Sequence, residues 1–572
     1  MTIRMTAALL LASAGVLLAN PRQDQDVAQA TPDPIAVAAQ RLTDEPQSAL
    51  ADAVQARDAE IALWPSGDRA TLVRAVEHHA IIEMIAAMPS DARRTLGELW
   101  PDHPVFVGAL ARVITDANDS AEVARVARTI AERSPEAMQK YAQLAAAMCV
   151  VLDRPHEFPG LGNVRPSAAD VFEALVFADE DRRVTAHPLE ELPAELLVHL
   201  ADFALTADGI REAIRDQRSI TPLEHYQRVA YVQPTLLSGE AAPAPDDFTL
   251  QRIAETGGTG PLRSFFAEPL GQAFGWPVSI ATGHLGEEAF QAPVFLEGDR
   301  QGFAWNLDAI PDHPGRAMGT TTHPVTGEAM PLAELIVSAD LARAGIDATR
   351  EAWALLKAIE HAPRVAQLAM LAAAKERTVG FPELWRASLD LELSLADGIP
   401  DGRQRVLASI LQRADQFSSE FGTRLALKHI GALSGSRDEM LQWMTLTSRR
   451  DAHRTAAVQL AIGDVALANG DLDSAATTYE ELLNRHAGAS PLALDALARL
   501  HAIYMQSGRE AELFDLYGRT HRRLRAPRTS QEAVVRASAF MIVGEQYEQM
   551  LLDAGRDREA ERLRRDLDRV LP

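Results

Sequence analysis

Cysteine is nearly absent from this chain. Of 572 residues only Cys149 is a cysteine, so neither an intramolecular disulfide nor a cluster of cysteine metal ligands can form. Cys149 lies in the apolar run LAAAMCVVL, where a thiol is more often a small buried hydrophobe than a reactive group. We therefore expect Cys149 to be structural.

Aromatic residues and basic charge are also scarce. Aromatic residues make up 5% of the chain, and 56 basic residues face 80 acidic ones, which gives a net charge of −24. Because nucleic-acid binding needs basic patches that displace counterions, this balance argues against a nucleic-acid partner. Many segments rich in Ala, Leu, Arg and Glu favour packed helices over sheets. The length predicts about two to four domains.

Long apolar runs are missing beyond the N-terminus. At the N-terminus, Arg4 precedes the apolar run Ala7–Ala19, and cleavage sites are offered at Ala19 and at Ala30. This pattern is typical of a cleaved secretory signal peptide, the alternatives being an uncleaved anchor or a misassigned start. No later stretch reaches the ~18 apolar residues of a membrane span. We expect an exported protein, periplasmic or extracellular, with no stable membrane span after signal removal.

Composition divides the chain into two helical regions around a central stretch. Apolar residues recur at spacings of three and four on both sides of the centre. Helix breaks are predicted at Pro89-Ser90, Pro101-Asp102, Ser134-Pro135 and 155–166. The predicted regions are 1–30 (signal peptide and cleavage region), 31–60 (linker and first helix), 61–240 (helical region), 241–331 (central core) and 332–572 (helical repeats).

The last third of the chain repeats itself weakly, with small and large residues at spacings of 7, 5 and 4. They are Gly463, Gly470, Ala475 and Tyr479, then Gly508, Leu513 and Tyr517, then Gly555 and Ala560. These offsets resemble the tetratricopeptide pattern, in which a small and a large residue interlock two antiparallel helices. Because one hairpin cannot bury its own apolar face, several would stack into an array with a protein- or peptide-binding surface. The alternative is an irregular helical bundle.

Glycines, aromatics and polar residues concentrate in the central stretch 247–311. A turn at Gly257-Gly258 precedes a helix predicted from Pro261, a position where proline loses no hydrogen bond. Phe266, Leu270 and Phe274 form one apolar stripe of that helix, which predicts burial on one side.

Strand-like runs follow the helix. They are predicted at Ala292–Leu296 and Gly302–Leu307, joined by a turn at Glu297-Gly298-Asp299. The next segment, Asp312–Pro331, is rich in His, Pro, Gly and Thr and is predicted to be irregular.

The start of the central helix suits thiol chemistry. Its free N–H groups and positive dipole end would stabilise a thiolate placed there. A histidine on an adjacent strand would take the proton of the thiol, and a carboxylate on the next strand would orient that histidine.

The central stretch resembles the transglutaminase-like core, a fold of the cysteine-protease type. The matching pieces are Gly257-Gly258-Thr259-Gly260, Ala273-Phe274-Gly275-Trp276-Pro277, Gln291-Ala292-Pro293-Val294 and Trp305-Asn306-Leu307-Asp308. Two upstream pieces, Val151–Pro155 and Asp247–Leu250, are similar to extended bacterial members that carry a helical region before the core. The resemblance implies a small α+β core with a Cys, His and Asp triad for acyl transfer.

This sequence departs from that triad. The nucleophile position falls on Gly260, or on Thr259 if the turn is one residue shorter. The base position falls on Gln291, or on His284 under a looser alignment, while Asp308 matches the acid. Without a low-pKa thiol, covalent acyl transfer by this route is lost.

Two interpretations of the remaining residues stay open. Thr259 could attack if His284 acted as the base and Asp308 oriented it. Alternatively, Asp308 caps a turn before Pro311 and His284 is an ordinary loop histidine.

No cofactor or metal site is predicted elsewhere. His313 and His323 flank a loop, but their spacing matches no standard ligand set. The segment Gly283–Gly286 lacks the lysine of a phosphate loop. The run Arg556–Arg569 alternates both charge signs at helical spacing, which favours a solvated helix face.

The sequence thus predicts a mostly α fold with a small α+β core and a C-terminal helical repeat array. The leading functional hypothesis is an exported, non-catalytic scaffold or peptide/protein-binding protein. The alternative is a hydrolase or acyl-transferase with a non-cysteine nucleophile. A third class is a purely structural cell-envelope protein.

Overall fold

A computed structural model of the chain gives a mostly α fold with a small α+β region. This confirms the predicted fold class. The structure describes residues 34–571 except 155, 159–161, 165, 181–184, 203–204, 217–219, 231–249, 257–259, 286–287, 300–301, 311–318, 397–398, 400–401, 415–420, 423, 426–451, 487–491, 525 and 527–538.

The N-terminal region is a run of helices, some of which begin with a side-chain cap. The Asp68 carboxylate accepts the Thr71 N–H at 3.1 Å ahead of the third helix, which satisfies one of the donors exposed at a helix start. The predicted break at Ser134-Pro135 separates two helices. The bounds are Pro34–Asp44 (α1), Pro46–Leu63 (α2), Arg69–Ala87 (α3), Ser90–Leu99 (α4), Pro104–Val113 (α5), Ser120–Arg133 (α6), Pro135–Lys140 (α7), Ala142–Val151 (α8), Ala168–Glu180 (α9), Ala194–Ala201 (α10), Ala207–Asp216 (α11) and Pro222–Arg228 (α12).

Helix α8 contains the single cysteine, and every residue of this helix is buried. Burial raises the pKa of the Cys149 thiol, because a thiolate is poorly solvated there. Between α8 and α9 lies a short antiparallel hairpin, β1 (His156–Phe158) and β2 (Gly162–Val164). In the described parts of the chain, no helix combines the length and apolar character that membrane crossing requires.

The central sheet is antiparallel, with the strand order β5-β4-β3-β6-β7. The strands are Val278–Leu285 (β3), Glu288–Asp299 (β4), Gly302–Asn306 (β5), Thr320–Thr322 (β6) and Ala329–Pro331 (β7). The predicted strands fall in β4 and β5, but the predicted turn at Glu297-Gly298-Asp299 was wrong. Those residues continue β4, because pairing persists to Asp299 opposite Gly302.

The prediction of irregular structure for Asp312–Pro331 was also wrong in part. Threonines at 320–322 form β6, which pairs with β3 at Thr282 and with β7. Threonine is β-branched and fits a pleated strand, a preference that the surrounding His, Pro and Gly residues obscured.

Helices cover both faces of the sheet. The first of them, α13 (Leu250–Thr256) and α14 (Gly260–Ala273), precede it in the chain. The predicted apolar stripe of α14 is buried, with Phe266, Leu270 and Phe274 at most 6% exposed. The helices that follow the sheet are Leu332–Ala344 (α15), Ile346–Ile359 (α16), Arg364–Arg377 (α17), Pro382–Leu395 (α18) and Gly402–Ala414 (α19).

Successive side chains of a strand point to opposite faces of the sheet, which places α14 on one face and α10 and α15 on the other. On one face, Gly271 of α14 lies so close to Val278 that an added Cβ would meet its side chain at 2.9 Å. On the other, Nδ1 of His199 in α10 lies 2.7 Å from Oγ of Ser279. Trp305 of β5 donates to Ser338 of α15 on that same face, at 3.2 Å.

The C-terminal part is a series of helical hairpins. Its helices are Ala452–Ala468 (α20), Leu472–His486 (α21), Leu492–Gln506 (α22), Glu510–Arg523 (α23), Ala539–Asp553 (α24) and Asp557–Asp568 (α25). They pack as the pairs α20–α21, α22–α23 and α24–α25.

The three turn glycines of the predicted repeat close these hairpins in one way. Gly470, Gly508 and Gly555 have φ values of 77°, 66° and 68°. In each turn the next N–H bonds to the carbonyl five residues back, at 2.8 to 2.9 Å, as in a Schellman motif. The weak sequence repeat therefore coincides with a repeated structure.

Gly463 and Tyr479 interlock α20 and α21. A Cβ on Gly463 would lie 2.2 Å from the Tyr479 ring, which is fully buried. The Tyr479 hydroxyl donates to Oδ1 of Asp464 at 2.6 Å, and Arg499 of the next hairpin donates to the same oxygen at 2.6 Å. One carboxylate thus joins two hairpins.

We predict that Gly463→Ala destabilises the first hairpin by about 1–3 kcal/mol, the usual cost of overpacking. The gain of up to ~1 kcal/mol that alanine brings to a helix is too small to offset it. Hydrogen exchange of peptides from α20 and α21 should accelerate. The control Gly209→Ala, whose Cβ would meet its nearest atom at 3.5 Å, should slow or preserve exchange in α11. Unchanged exchange in α20 and α21 would contradict the interlock.

Candidate functional site

The described site positions lie on α14, on β3, on β4 and in the turn after β5. Gly260 is the first residue of α14, and Thr259 lies outside the described residues. His284 lies on β3 opposite Ala289, not in a loop. Gln291 lies on β4 opposite Thr282.

Gln291 is on the face of the sheet that α14 covers. Directly paired residues share a face, and residues two apart along a strand also share one. Thr282 is therefore on the same face as Val278, which packs against α14, and Gln291 shares that face. A side chain at 291 is thus on the side where a base would serve a nucleophile on the helix, but an amide cannot shuttle a proton.

Asp308 lies in the turn that follows β5 and is exposed. Its N–H donates to Oδ1 of Asn306 at 2.9 Å, and the Ile310 N–H donates to the Leu307 carbonyl at 2.9 Å. Among the described residues, no hydrogen bond joins the Asp308 carboxylate to Gln291 or to a histidine. This geometry is that of a turn residue.

An arginine and a tyrosine pack together beside Gln291. The Arg263 guanidinium of α14 lies 4.1 Å from the Tyr226 ring centroid, and its Nε donates to the Tyr226 carbonyl at 3.0 Å. The Tyr226 hydroxyl donates to the Gln291 carbonyl at 3.4 Å. These contacts tie α12 to the first turns of α14 and to β4.

The upstream piece Val151–Pro155 anchors the N-terminal helices to the core. Arg154 donates to the Val325 carbonyl in the β6–β7 connection at 2.5 Å. Its neighbour Asp153 is buried and accepts the Asp119 N–H at 2.7 Å. The other upstream piece, Asp247–Leu250, lies outside the described residues except for Leu250, which begins α13.

A buried Ser–His pair escaped the sequence analysis. His199 and Ser279 are 80 positions apart and lie in no motif, but Nδ1 and Oγ are 2.7 Å apart. Both residues are less than 5% exposed, and the Trp305 ring packs edge-on against His199. Complete burial lowers the pKa of His199 to about 3. The pair resembles a nucleophile and its base, but its burial leaves substrate no access.

His225 of α12 is buried without any hydrogen-bond partner in the described structure. Its ring stacks on Phe274 with centroids 6.1 Å apart and meets Phe266 edge-on. Burial, with a smaller contribution from Arg228, lowers the pKa of His225 to about 4. The imidazole is therefore neutral in the folded protein and acts as a flat apolar group.

A carboxylic acid occupies the junction of α10 and α14. Burial, reinforced by the nearby Asp202 carboxylate, raises the pKa of Glu268 well above its usual range. One turn farther along α14, the Gln272 amide donates to the His199 carbonyl at 3.1 Å. This environment therefore favours the protonated form of Glu268.

The histidines near the β6–β7 connection do not form a metal centre in the described structure. Nδ1 of His323 faces the backbone N–H groups of Val325 and Thr326 at 3.3 and 3.4 Å. His313 lies outside the described residues. Where side chains are described, no group of three or more His, Cys, Asp or Glu residues is arranged to hold a metal ion.

No family model, curated protein or solved structure matches this chain.

We predict that His225→Phe makes folding less sensitive to acid. The depressed pKa means that the unfolded chain takes up a proton at 225 below pH ~6.5 while the folded chain does not. This histidine therefore removes up to about 1.4 kcal/mol of unfolding free energy per pH unit as the pH falls from ~6.5 toward 4. Phenylalanine keeps the stacking and also removes an unsatisfied polar group, so the variant should gain about 1 kcal/mol at pH 7.

Urea unfolding followed by tryptophan fluorescence between pH 7 and 5 measures both effects. Phe266→Leu, a neighbouring substitution that titrates nothing, should shift stability by the same amount at each pH. If the His225→Phe and native curves run parallel from pH 7 to 5, the assignment of a neutral buried His225 is wrong.

Proposed function

We propose that this chain is an exported, non-catalytic scaffold or peptide/protein-binding protein. It would be built on a degenerate transglutaminase-like core and a C-terminal array of tetratricopeptide-like hairpins. The observation that carries the proposal is the series of hairpins with repeated Schellman turns, an architecture whose stacked first helices usually form a binding surface.

The chemistry around α14 supports the absence of catalysis. A glycine begins the helix, a glutamine lies on the sheet face that would hold the base, and Asp308 is exposed in a turn. The chain's one thiol, Cys149, is buried in α8 with a raised pKa. No described group near α14 could supply a thiolate.

Exposed stripes on the first helices of the hairpins support a binding role. Such residues recur three or four positions apart, which puts them on one side of each helix. They are Asp495, Ala498, Ala502 and Met505 on α22, and Glu545, Gln549 and Leu552 on α24. The small residues of α22 leave room for a ligand backbone, and Met505 is 51% exposed.

The alternative is a hydrolase or acyl-transferase in which Thr259 attacks with help from His284 and Asp308. The pairing of His284 within β3, where strand geometry fixes its backbone, favours this alternative over a loop histidine. The exposed turn position of Asp308 weighs against it, because an orienting carboxylate must reach the base.

We predict no turnover of amide, peptide or ester substrates by the full chain. A panel of such substrates is incubated with the purified protein and with the variants Thr259→Ala and His284→Ala, and product is measured by mass spectrometry. All three proteins should match the buffer rate, since no described group around α14 is an activated nucleophile for these substrates. Turnover that disappears in either variant would establish the enzyme instead.

We predict that one charge placed on the proposed binding stripe abolishes partner capture. Full-length protein is used as bait on the exported fraction, and Ala502→Arg on α22 is compared with Ala511→Arg on α23. Both alanines are exposed, so each variant adds the same charge and bulk to a solvated helix. Ala502→Arg should reduce the captured partner at least fivefold and Ala511→Arg should not.

The remaining outcomes also discriminate. Equal loss in both variants would indicate non-specific charge effects and sink the assignment of the binding surface to the first helices. Capture of nothing by the native chain would favour the purely structural envelope protein.

A further inference from the structure

Lysine is rare in this protein, and one of its lysines lies in an unusual environment. The chain has four lysines, at positions 140, 357, 375 and 428, among 56 basic residues. Lys140 and Lys357 are half exposed and pair with surface carboxylates. Lys375, on α17, instead points into the junction of three helices.

A chain of hydrogen bonds connects those helices. Nζ of Lys375 donates to Oγ of Ser388 on α18 at 2.6 Å, and that hydroxyl donates to Oε1 of Glu392 at 2.7 Å. Arg413 of α19 donates to the same carboxylate, at 3.2 and 3.0 Å to its two oxygens. Two cations therefore share one anion, which leaves an excess positive charge.

The surroundings of the amine are largely dry. Ser388 is 3% exposed, and Nζ of Lys375 lies 5.1 Å from the centroid of the Trp385 indole. Burial, then the Arg413 charge, lowers the pKa of Lys375 to about 8, against a smaller opposing effect of Glu392. An ordinary lysine titrates near 10.4, so this amine is neutral far more often at physiological pH.

Other charged groups on these helices pair elsewhere. On α16, the Glu351 carboxylate faces α17, but it pairs with Arg377 and with Arg69. On α18, Arg386 pairs with Glu334 and Glu383. Arginine could not replace Lys375 in this role, because a guanidinium stays protonated in proteins.

We propose that Lys375 is a nucleophilic amine site that captures small carbonyl compounds, aldehydes in particular, as an imine. Desolvation and an adjacent cation are the two ways in which proteins activate a lysine for this chemistry, and both are present. Ser388 is a positioning residue, since its hydroxyl holds the amine against the indole.

The reaction needs no oxidant or reductant. The lone pair of the neutral amine attacks the carbonyl carbon, and a C–N bond forms as the C=O π electrons move to oxygen. The oxygen takes up a proton and the nitrogen releases one, which gives a carbinolamine. Loss of water then gives the imine, so one amine and one aldehyde yield one imine and one water.

Selective labelling tests the proposal. The full chain is treated with propanal and cyanoborohydride, which reduces the imine to a stable propyl-lysine, and the four lysines are compared by peptide mass spectrometry. At pH 7 we expect Lys375 to be labelled at least about tenfold faster than Lys357. Its rate should level off above pH ~8, where a neutral amine already dominates. Labelling of Lys375 no faster than that of Lys357 would overturn the proposal.

Two variants with opposite expected effects on the labelling rate of Lys375 test the mechanism. Arg413→Gln removes the neighbouring cation and should slow labelling of Lys375 at pH 7 several-fold. Glu392→Gln removes the opposing carboxylate and should accelerate it. Labelling of Lys357 is the internal control in both, and circular dichroism verifies folding. If a folded variant changes the labelling rate of Lys375 in the opposite direction, the role of the charge imbalance is refuted. If neither variant folds, the comparison of Lys375 with Lys357 in the native protein decides the proposal.

Discussion

The middle of the molecule, from α10 to α15, depends on one constraint. The small sheet must be buried between helices that precede it and helices that follow it in the chain. A single apolar cluster contains Val107 of α5, Ala281 and Val294 of the sheet, Leu335 of α15 and Leu391 of α18. Because one side of an isolated small sheet would face water, α14 and α12 on one face and α10 and α15 on the other are required together. The N-terminal helices are therefore part of the support of the sheet.

This burial also determines the chemistry of the polar groups that it encloses. Water stabilises charge far better than a protein interior, so burial lowers the pKa values of His199, His225 and Lys375 and raises that of Glu268. For His199, His225 and Glu268, the effect is to favour an uncharged side chain that packs in the interior. Of these four groups, only Lys375 combines a depressed pKa with partial exposure and an unbalanced neighbouring cation, whereas the Ser279–His199 pair is fully buried.

Local spacing predicted the parts of the fold that depend on neighbours in sequence. The offsets from Gly463 to Tyr479 predicted an interlocked hairpin, and the Phe266, Leu270, Phe274 stripe predicted the buried side of α14. Contacts between distant segments could not be predicted in this way. The pairing of His199 with Ser279 joins a helix to a strand across 80 positions, and β6 forms only because β3 offers its edge to a threonine run. The predicted strand Ala292–Leu296 located the neighbourhood of Gln291, but the face that Gln291 occupies required the strand register.

Glycine serves two unrelated purposes in the hairpin array. At Gly463 the limit is volume, since any side chain would collide with an aromatic ring. At Gly470, Gly508 and Gly555 a Cβ would meet nothing within 4 Å, so the limit is the handedness of the backbone. A residue of the opposite chirality would fit these three turns without strain, and among natural residues asparagine comes nearest. In related chains, asparagine should therefore be the commonest replacement for the three turn glycines. Position 463 should tolerate no residue larger than glycine.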